Sequence, residues 1–279
     1  MRKRKRTGWR RYVNGITIST TVTVLFVTLP LYLMLASSFK GAKGIGSAAF
    51  YPKDFSTSNY NNAFSQYTFA RYILNSVLIA VITTALVLFL STMAGYALGR
   101  LPMRAKLPVM VALLMISVFP AIAVIAPLFL LMKTIHWLNS YQALIVPYTA
   151  FNLPFAIWIM RNYMLGIPKE MEETSRIDGA GPLRTLWSIV LPQAKPGLFT
   201  AGIFTFTACW TEFLMALSFN SDNNFRTIPV GTALFGSPFT IPYGTIFAAS
   251  RVAVVPIAIL VLIFRKSVVS GLTAGAVKG

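Results

Sequence analysis

The side chains with the most chemistry to offer lie in two places. One is an acidic run, Glu170, Glu172 and Glu173, in the connection from Leu165 to Pro196; the other is a glutamate, Glu212, and an arginine, Arg251, inside stretches that are otherwise apolar. An ionisable group within a membrane-length apolar stretch is costly and is by default a functional-site hypothesis. Counting from the outer ends near Phe219 and Tyr243 puts Glu212 and Arg251 at similar depth, so the two are expected to face each other or a shared aqueous cavity. Shallow snorkelling of Arg251 toward the outer surface is the alternative. Trp210 and Thr211 flank Glu212 and join it as candidate pathway residues.

Catalysis by this chain finds no support in the residues. His136, the one histidine, sits beside Trp137 as an interfacial pair, and Cys209, the one cysteine, lies in an apolar span, so neither a metal site nor a disulfide framework is implied. No paired carboxylates meet a nucleophile, and no Gly-x-x-x-x-Gly-Lys-Ser/Thr phosphate loop occurs. The chain therefore has no catalytic residues and binds no cofactor of its own; energy must come from other subunits.

The elements that position these residues are membrane helices. Of 279 residues, 56% are hydrophobic and 11% charged, against roughly 25% charged in an ordinary soluble domain. Apolar stretches recur at roughly 13–38, 72–98, 108–132, 141–161, 198–219 and 244–264, each long enough at about 1.5 Å per residue to approach the hydrocarbon thickness of about 30 Å. An all-α, polytopic fold with six transmembrane helices is expected. The net charge of +18 is not a nucleic-acid signal, because its cations cluster in alternate connections. Arg2 to Arg6, Arg10 and Arg11 precede the first span; Arg100, Arg104 and Lys106, then Arg161, Lys169, Arg176, Arg184 and Lys195, then Arg265, Lys266 and Lys278 fall on the same side. By the positive-inside rule that side is cytoplasmic, as are both termini. Segment 1–12 then reads as a basic cytoplasmic N-terminus, 13–264 as the transmembrane domain and 265–279 as a cytoplasmic tail. The first span outruns a signal-peptide h-region and reads as a retained helix.

Pro30, Pro120, Pro127, Pro147, Pro154 and Pro256 lie within spans and invite kinks, which favours a bundle enclosing a polar path. The loop from Gly41 to Phe69, with Tyr51-Pro52 and Asn59-Tyr60-Asn61-Asn62, reads as a folded external cap. Connection 165–196 is long for a bundle and suggests a role of its own. Pro168 is placed to open a helix whose carboxylates sit near its positive end; the helix stops at Asp178-Gly179, and Pro182 starts a second one that Pro192 closes. Leu183, Leu186, Trp187, Ile189 and Val190 give this second helix an apolar side. Glu172 and Glu173 are then the acidic groups available to basic side chains of a partner. An amphipathic helix resting on lipid is disfavoured by those acids, since inner leaflets are anionic.

The spacing Glu173-Thr174-Ser175, three residues, Gly179, nine residues, Ile189-Val190-Leu191-Pro192 resembles the EAA loop of ABC importer permeases, with Thr174 and Ser175 where that family has two alanines. Asp178-Gly179-Ala180 matches the common form of the motif. Phe119-Pro120, Pro127-Leu128-Phe129, Pro147-Tyr148 and Leu153-Pro154-Phe155 are similar to the maltose-type carbohydrate permeases, in particular the smaller six-span partner of the pair. The resemblance implies a type I importer permease fold and an ATPase-coupling surface of Glu172, Glu173, Thr174, Ser175, Asp178, Gly179, Ala180, Ile189, Leu191 and Pro192. It implies a C-terminal tail, with Thr273, Gly275, Ala276, Val277, Lys278 and Gly279, that reaches between ATPase subunits. It also implies a second permease subunit, two ATP-binding subunits carrying ATP and Mg, an extracytoplasmic sugar-binding protein and a sugar substrate in a bacterial inner membrane. By resemblance, the stretch Asn220 to Tyr243, with Asp222, Asn223, Asn224 and Arg226, meets the binding protein or its sugar. A stand-alone secondary transporter of a small polar solute is the competing reading; it calls for internal repeats, and none is convincing.

Overall fold

A computed structural model describes residues 15–41, 44–47, 49–237 and 239–274, without the side chains of Ile16 and of 265–274. The basic stretch 1–12 lies outside the described residues. Regular structure among them is helical, the β-contacts being two isolated bridges, Lys40 to Phe55 and Ser237 to Thr240. The chain divides into two compact units, Met1–Tyr67 with Phe235–Val252, and Thr68–Leu234 with Ala253–Gly279.

The first unit carries α1 (Gly15–Ser38), α2 (Ser58–Gln66) and the opening turns of α12 (Tyr243–Ala274). α1 displays its apolar side chains openly, Phe26 being 79% exposed, as a helix solvated by lipid requires. The expected cap takes shape after it: Ser56 N–H donates to Phe39 O (2.9 Å), and Asn59 Nδ2 donates to the carbonyls of Ser38 (3.0 Å) and Lys40 (2.8 Å).

In the second unit, α3 (Phe69–Arg100) and α6 (Gln142–Leu165) form the most extensive pairing, and α10 (Lys195–Thr211) packs on both. Small residues permit the approach. A Cβ at Gly95 would lie 2.9 Å from Met160 Cβ and 3.0 Å from the Arg161 nitrogen, so α3 can lie against α6 at this depth only with glycine there. Packing rather than hydrophobicity drives such contacts where the solvent is itself apolar.

Among the described residues, four helices are long and apolar enough to cross a membrane: Thr17–Ser38, Phe69–Arg100, Gln142–Leu165 and Tyr243–Phe264. The other two expected spans are broken. α4 (Lys106–Val118) and α5 (Ala121–Thr134) meet at a 91° bend. Its cause is local: Pro120 excludes Phe119 from the helical region, and Phe119 takes φ −68°, ψ 130°. α10 ends at Thr211, Glu212 is extended (φ −66°, ψ 133°), and α11 (Leu214–Phe219) follows, with no proline at the break. Conversely, Pro30, Pro127, Pro147, Pro154 and Pro256 lie inside helices that continue past them. Proline count was thus a poor guide to where this bundle bends.

Candidate functional site

The connection 165–196 folds as a two-legged elbow. α7 (Glu170–Ile177) carries three carboxylates in its first turn, which its positive end stabilises. Its other end closes as a Schellman motif: Gly179 N–H reaches Arg176 O and Ala180 N–H reaches Ser175 O, both at 3.0 Å, with Gly179 at φ +76°. Pro182 then opens the second leg, as expected. That leg does not close at Pro192. It runs through α8 (Pro182–Thr185), a π-helical turn (Leu186–Val190) and α9 (Leu191–Gln193). Pro192 lacks the N–H that would bond four residues back and its ring crowds the carbonyl there; the wider π turn relieves both.

The legs are tied together and to the bundle. Ser175 Oγ and Thr185 Oγ1, both buried, are 2.8 Å apart. Leu186 and Val190 sit in one core cluster with Val87, Tyr96, Met160 and Met164, rooting the second leg in α3 and α6, while Trp187 stacks on Phe89.

Glu172 corrects an expectation. It does not present its carboxylate to a partner: it is 4% exposed, and its Oε1 lies 3.0 Å from Arg100 Nε at the end of α3. The N–H is not directed along that line, so the contact is an ion pair rather than an aligned hydrogen bond. Tyr96 Oη donates to the other oxygen at 3.4 Å, and Arg100 donates further to the carbonyls of Met164 and Ile167. Helical spacing explains the inversion. Glu172 and Ser175, three apart, share the inward face, whereas Glu170, Glu173, Thr174 and Ile177 share the outward one. Glu170 and Glu173 are therefore the α7 carboxylates a partner can reach, and Asp178 beyond its end is exposed as well. Thr174 spends its hydroxyl on Glu170 O (2.8 Å). Around Gly179 two large apolar side chains stand open, Ile177 86% and Leu183 61% exposed, among the exposed charges of Arg176, Asp178 and Arg184. Met171, Thr174, Ser188, Ile189, Pro192 and Gln193 line an open groove beside it. Ala180 and Leu191 are half-buried.

The charges within the spans are satisfied locally. Glu212 fills the break in the fifth span: Oε1 accepts from Met215 N–H (2.8 Å), and Oε2 accepts from Ala216 N–H (3.1 Å) and Tyr148 Oη (2.5 Å). It caps α11 with its own carboxylate. Arg251 donates to Tyr60 Oη at 2.8 Å and stands 5.0 Å from the centroid of the Phe39 ring, immediately after α1 ends. Each charge is thus met by neutral groups of its own unit. Trp210 is buried and donates its indole N–H to Ala253 O (3.0 Å), while Thr211 is exposed. Gly275, Ala276, Val277, Lys278 and Gly279 lie outside the described residues, as does the side chain of Thr273.

Three residues that matter here were not singled out by sequence. Arg100 counted only as a topogenic cation and Tyr96 as part of an apolar span. Asn75, also in a span, is 1% exposed; its amide donates to Asn224 O (2.9 Å) and Arg226 O (2.8 Å) and accepts from Tyr141 Oη (2.9 Å). It fixes the loop holding Asp222, Asn223, Asn224 and Arg226. The available signal was a polar residue with full bonding capacity inside an apolar stretch.

Known proteins share this architecture. The family described as binding-protein-dependent transport system inner membrane component matches residues 91–273. The sulfoquinovosyl glycerol transport system permease protein of Agrobacterium fabrum is 41% identical over 222 residues, covering 80% of this chain and 78% of the relative. The trehalose/maltose transport system permease protein of Thermococcus litoralis is 41% identical over 224 residues, covering 79% and 81%. The trehalose transport system permease protein of Mycobacterium tuberculosis is 35% identical over 261 residues, covering 93% and 95%. Among solved structures, a bacterial ABC transporter that imports the acidic polysaccharide alginate aligns at a TM-score of 0.80 and 20% identity, over 95% of this chain and 99% of that one.

Proposed function

Since the chain belongs to the inner membrane components of binding-protein-dependent transport systems, we propose that it is the permease subunit of an ABC importer for a sugar or glycoside, coupled to its ATPase through the elbow centred on Gly179. The observation that carries this reading is the form of the elbow: two short legs braced against each other and against α3 and α6, presenting Glu173, Ile177 and Leu183 outward at the turn. A contact that transmits force must be stiff on one side and complementary on the other, and this surface offers two open apolar side chains among charges of both signs, Glu173, Arg176, Asp178 and Arg184. The sugar cargo is supported by the substrates in the names of the relatives, trehalose, maltose and sulfoquinovosyl glycerol.

In this reading the chain pairs with a second permease subunit and two ATP-binding subunits, and receives its cargo from an external binding protein. Both termini and the elbow are cytoplasmic. ATP and Mg are held by the partner subunits, so this chain's own residues bind no cofactor. Nucleotide-driven closure of the ATPase pair displaces the elbow, and the bundle passes that displacement on as a rigid-body switch between two states.

Gly179→Val tests the docking role. The turn needs φ +76°, which a β-branched residue adopts only under strain. ATP-dependent uptake is expected to be lost while the chain still inserts and accumulates; unchanged uptake in membrane vesicles overturns the reading.

A further inference from the structure

We infer that Arg100 is a positioning residue whose guanidinium makes the elbow move as one piece with α3 and α6. The inference rests on the coupling role proposed for the elbow. The covalent link between α6 and α7 is Gly166-Ile167-Pro168-Lys169. It is a natural hinge: it holds a glycine, its proline has no N–H to give, and a push on α7 alone would be absorbed by bending there. Arg100 spans that hinge from outside. One side chain contacts the carbonyl of Met164 in the last turn of α6, the carbonyl of Ile167 in the link, and the carboxylate of Glu172 in the first turn of α7. A planar guanidinium can donate to both carbonyls from Nη2 while its Nε edge faces the carboxylate, and an ammonium, a single point of charge, cannot reproduce that spread.

Three further features fit a brace. Arg100 is the last residue of α3, where the negative helix end favours a cation. Gly95 brings α3 against α6 one turn earlier, placing the guanidinium level with the end of α6. The Arg100 and Glu172 side chains are 3% and 6% exposed, so the pair is shielded from water and from any docked subunit. Carrying displacement inward is thus a separate task from docking, which falls to the exposed residues around Gly179.

The test uses the full chain with its companion subunits in lipid nanodiscs or proteoliposomes. Uptake per ATP hydrolysed is compared for wild type, Arg100→Gln, Arg100→Lys and the isosteric Glu172→Gln. Arg100→Gln is expected to leave ATPase bound and hydrolysing while the ratio falls about tenfold, within the range a typical coupling free energy gives. Arg100→Lys should fall between it and wild type. If Arg100→Gln fails to accumulate, Glu172→Gln carries the same comparison with one partner neutralised. A role confined to stability lowers the amount of complex and leaves the ratio unchanged, and that result overturns the inference. The second arm measures the elbow directly. Cys209 is the only cysteine and is buried, so spin labels at Thr174→Cys and Met103→Cys, both on exposed positions, report on the elbow against the end of α3. The distance distribution should broaden in Arg100→Gln; an unchanged width overturns the inference even where uptake is impaired. A wild-type chain that retains no ATPase would sink the docking reading alone, since the distance measurement still decides the brace.

Discussion

Glu172 is buried and Glu212 half-buried in the same unit, and the two are stabilised in opposite ways. Glu172 meets a full countercharge, Arg100, with Tyr96 at the side. Glu212 meets only dipoles: two backbone N–H groups of α11 and the Tyr148 hydroxyl. A carboxylate held by dipoles leaves no charge stranded when it is removed, because the N–H groups at a helix start are orphans that water or another cap can serve. A carboxylate held by a buried guanidinium leaves that cation without compensation. The elbow therefore depends on its glutamate far more than the broken fifth span depends on its own.

The sharpest way to break that contrast is to truncate both. Glu172→Ala strands Arg100 and should cost about 3–5 kcal/mol, the usual penalty for splitting a buried pair, read as a large fall in thermal stability or in the yield of folded chain in detergent. Glu212→Ala removes a helix cap and one hydroxyl partner and should cost no more than about 2 kcal/mol. Equal losses would show that Glu212 carries a charge interaction its neighbours do not display. Glu212→Gln sharpens the point. It keeps an acceptor for the cap, so stability should fall by about 1 kcal/mol or less and sugar uptake should persist; abolished uptake with intact stability would return Glu212 to the translocation pathway.

How much of this was legible beforehand follows from the range of each interaction. Hydropathy is a local sum, so the apolar segments were readable, and so was the elbow, whose turn is dictated by Gly179 and Pro182 within a few residues. The breaks were not. The bend after Phe119 has a local cause, but its proline is one of six in the spans and five others leave their helices running. The break at Glu212 exists because a carboxylate, two N–H groups and a tyrosine 64 positions away meet in space. The partner of Glu172 lies farther still along the sequence. A motif marks which residues recur around a turn, while the direction each one faces depends on what α3 and α6 bring alongside, and so Glu172 read as a docking acid although Arg100 had already claimed it. The surroundings of Arg251 were out of reach for the same reason: counting residues from the ends of spans gave it a depth similar to that of Glu212 and could not supply its contacts with Tyr60 and Phe39.

The smallest effect concerns the two hydroxyls of Thr174 and Ser175, adjacent in α7. Thr174 bonds only its own helix, on an exposed face, so Thr174→Ala should be close to neutral. Ser175 is different, since its hydroxyl is the buried partner of Thr185. Ser175→Ala leaves the Thr185 oxygen unsatisfied and should destabilise by about 1 kcal/mol, whereas the double change Ser175→Ala with Thr185→Val removes both polar atoms and should recover most of that loss, because a buried pair of hydroxyls costs more to split than to delete. Thermal unfolding of the four variants in a double-mutant cycle measures the difference. If the double variant is no more stable than Ser175→Ala, the hydroxyl pair does not tie the legs together, and the stiffness of the elbow rests on the Arg100 brace and on Leu186 and Val190 alone.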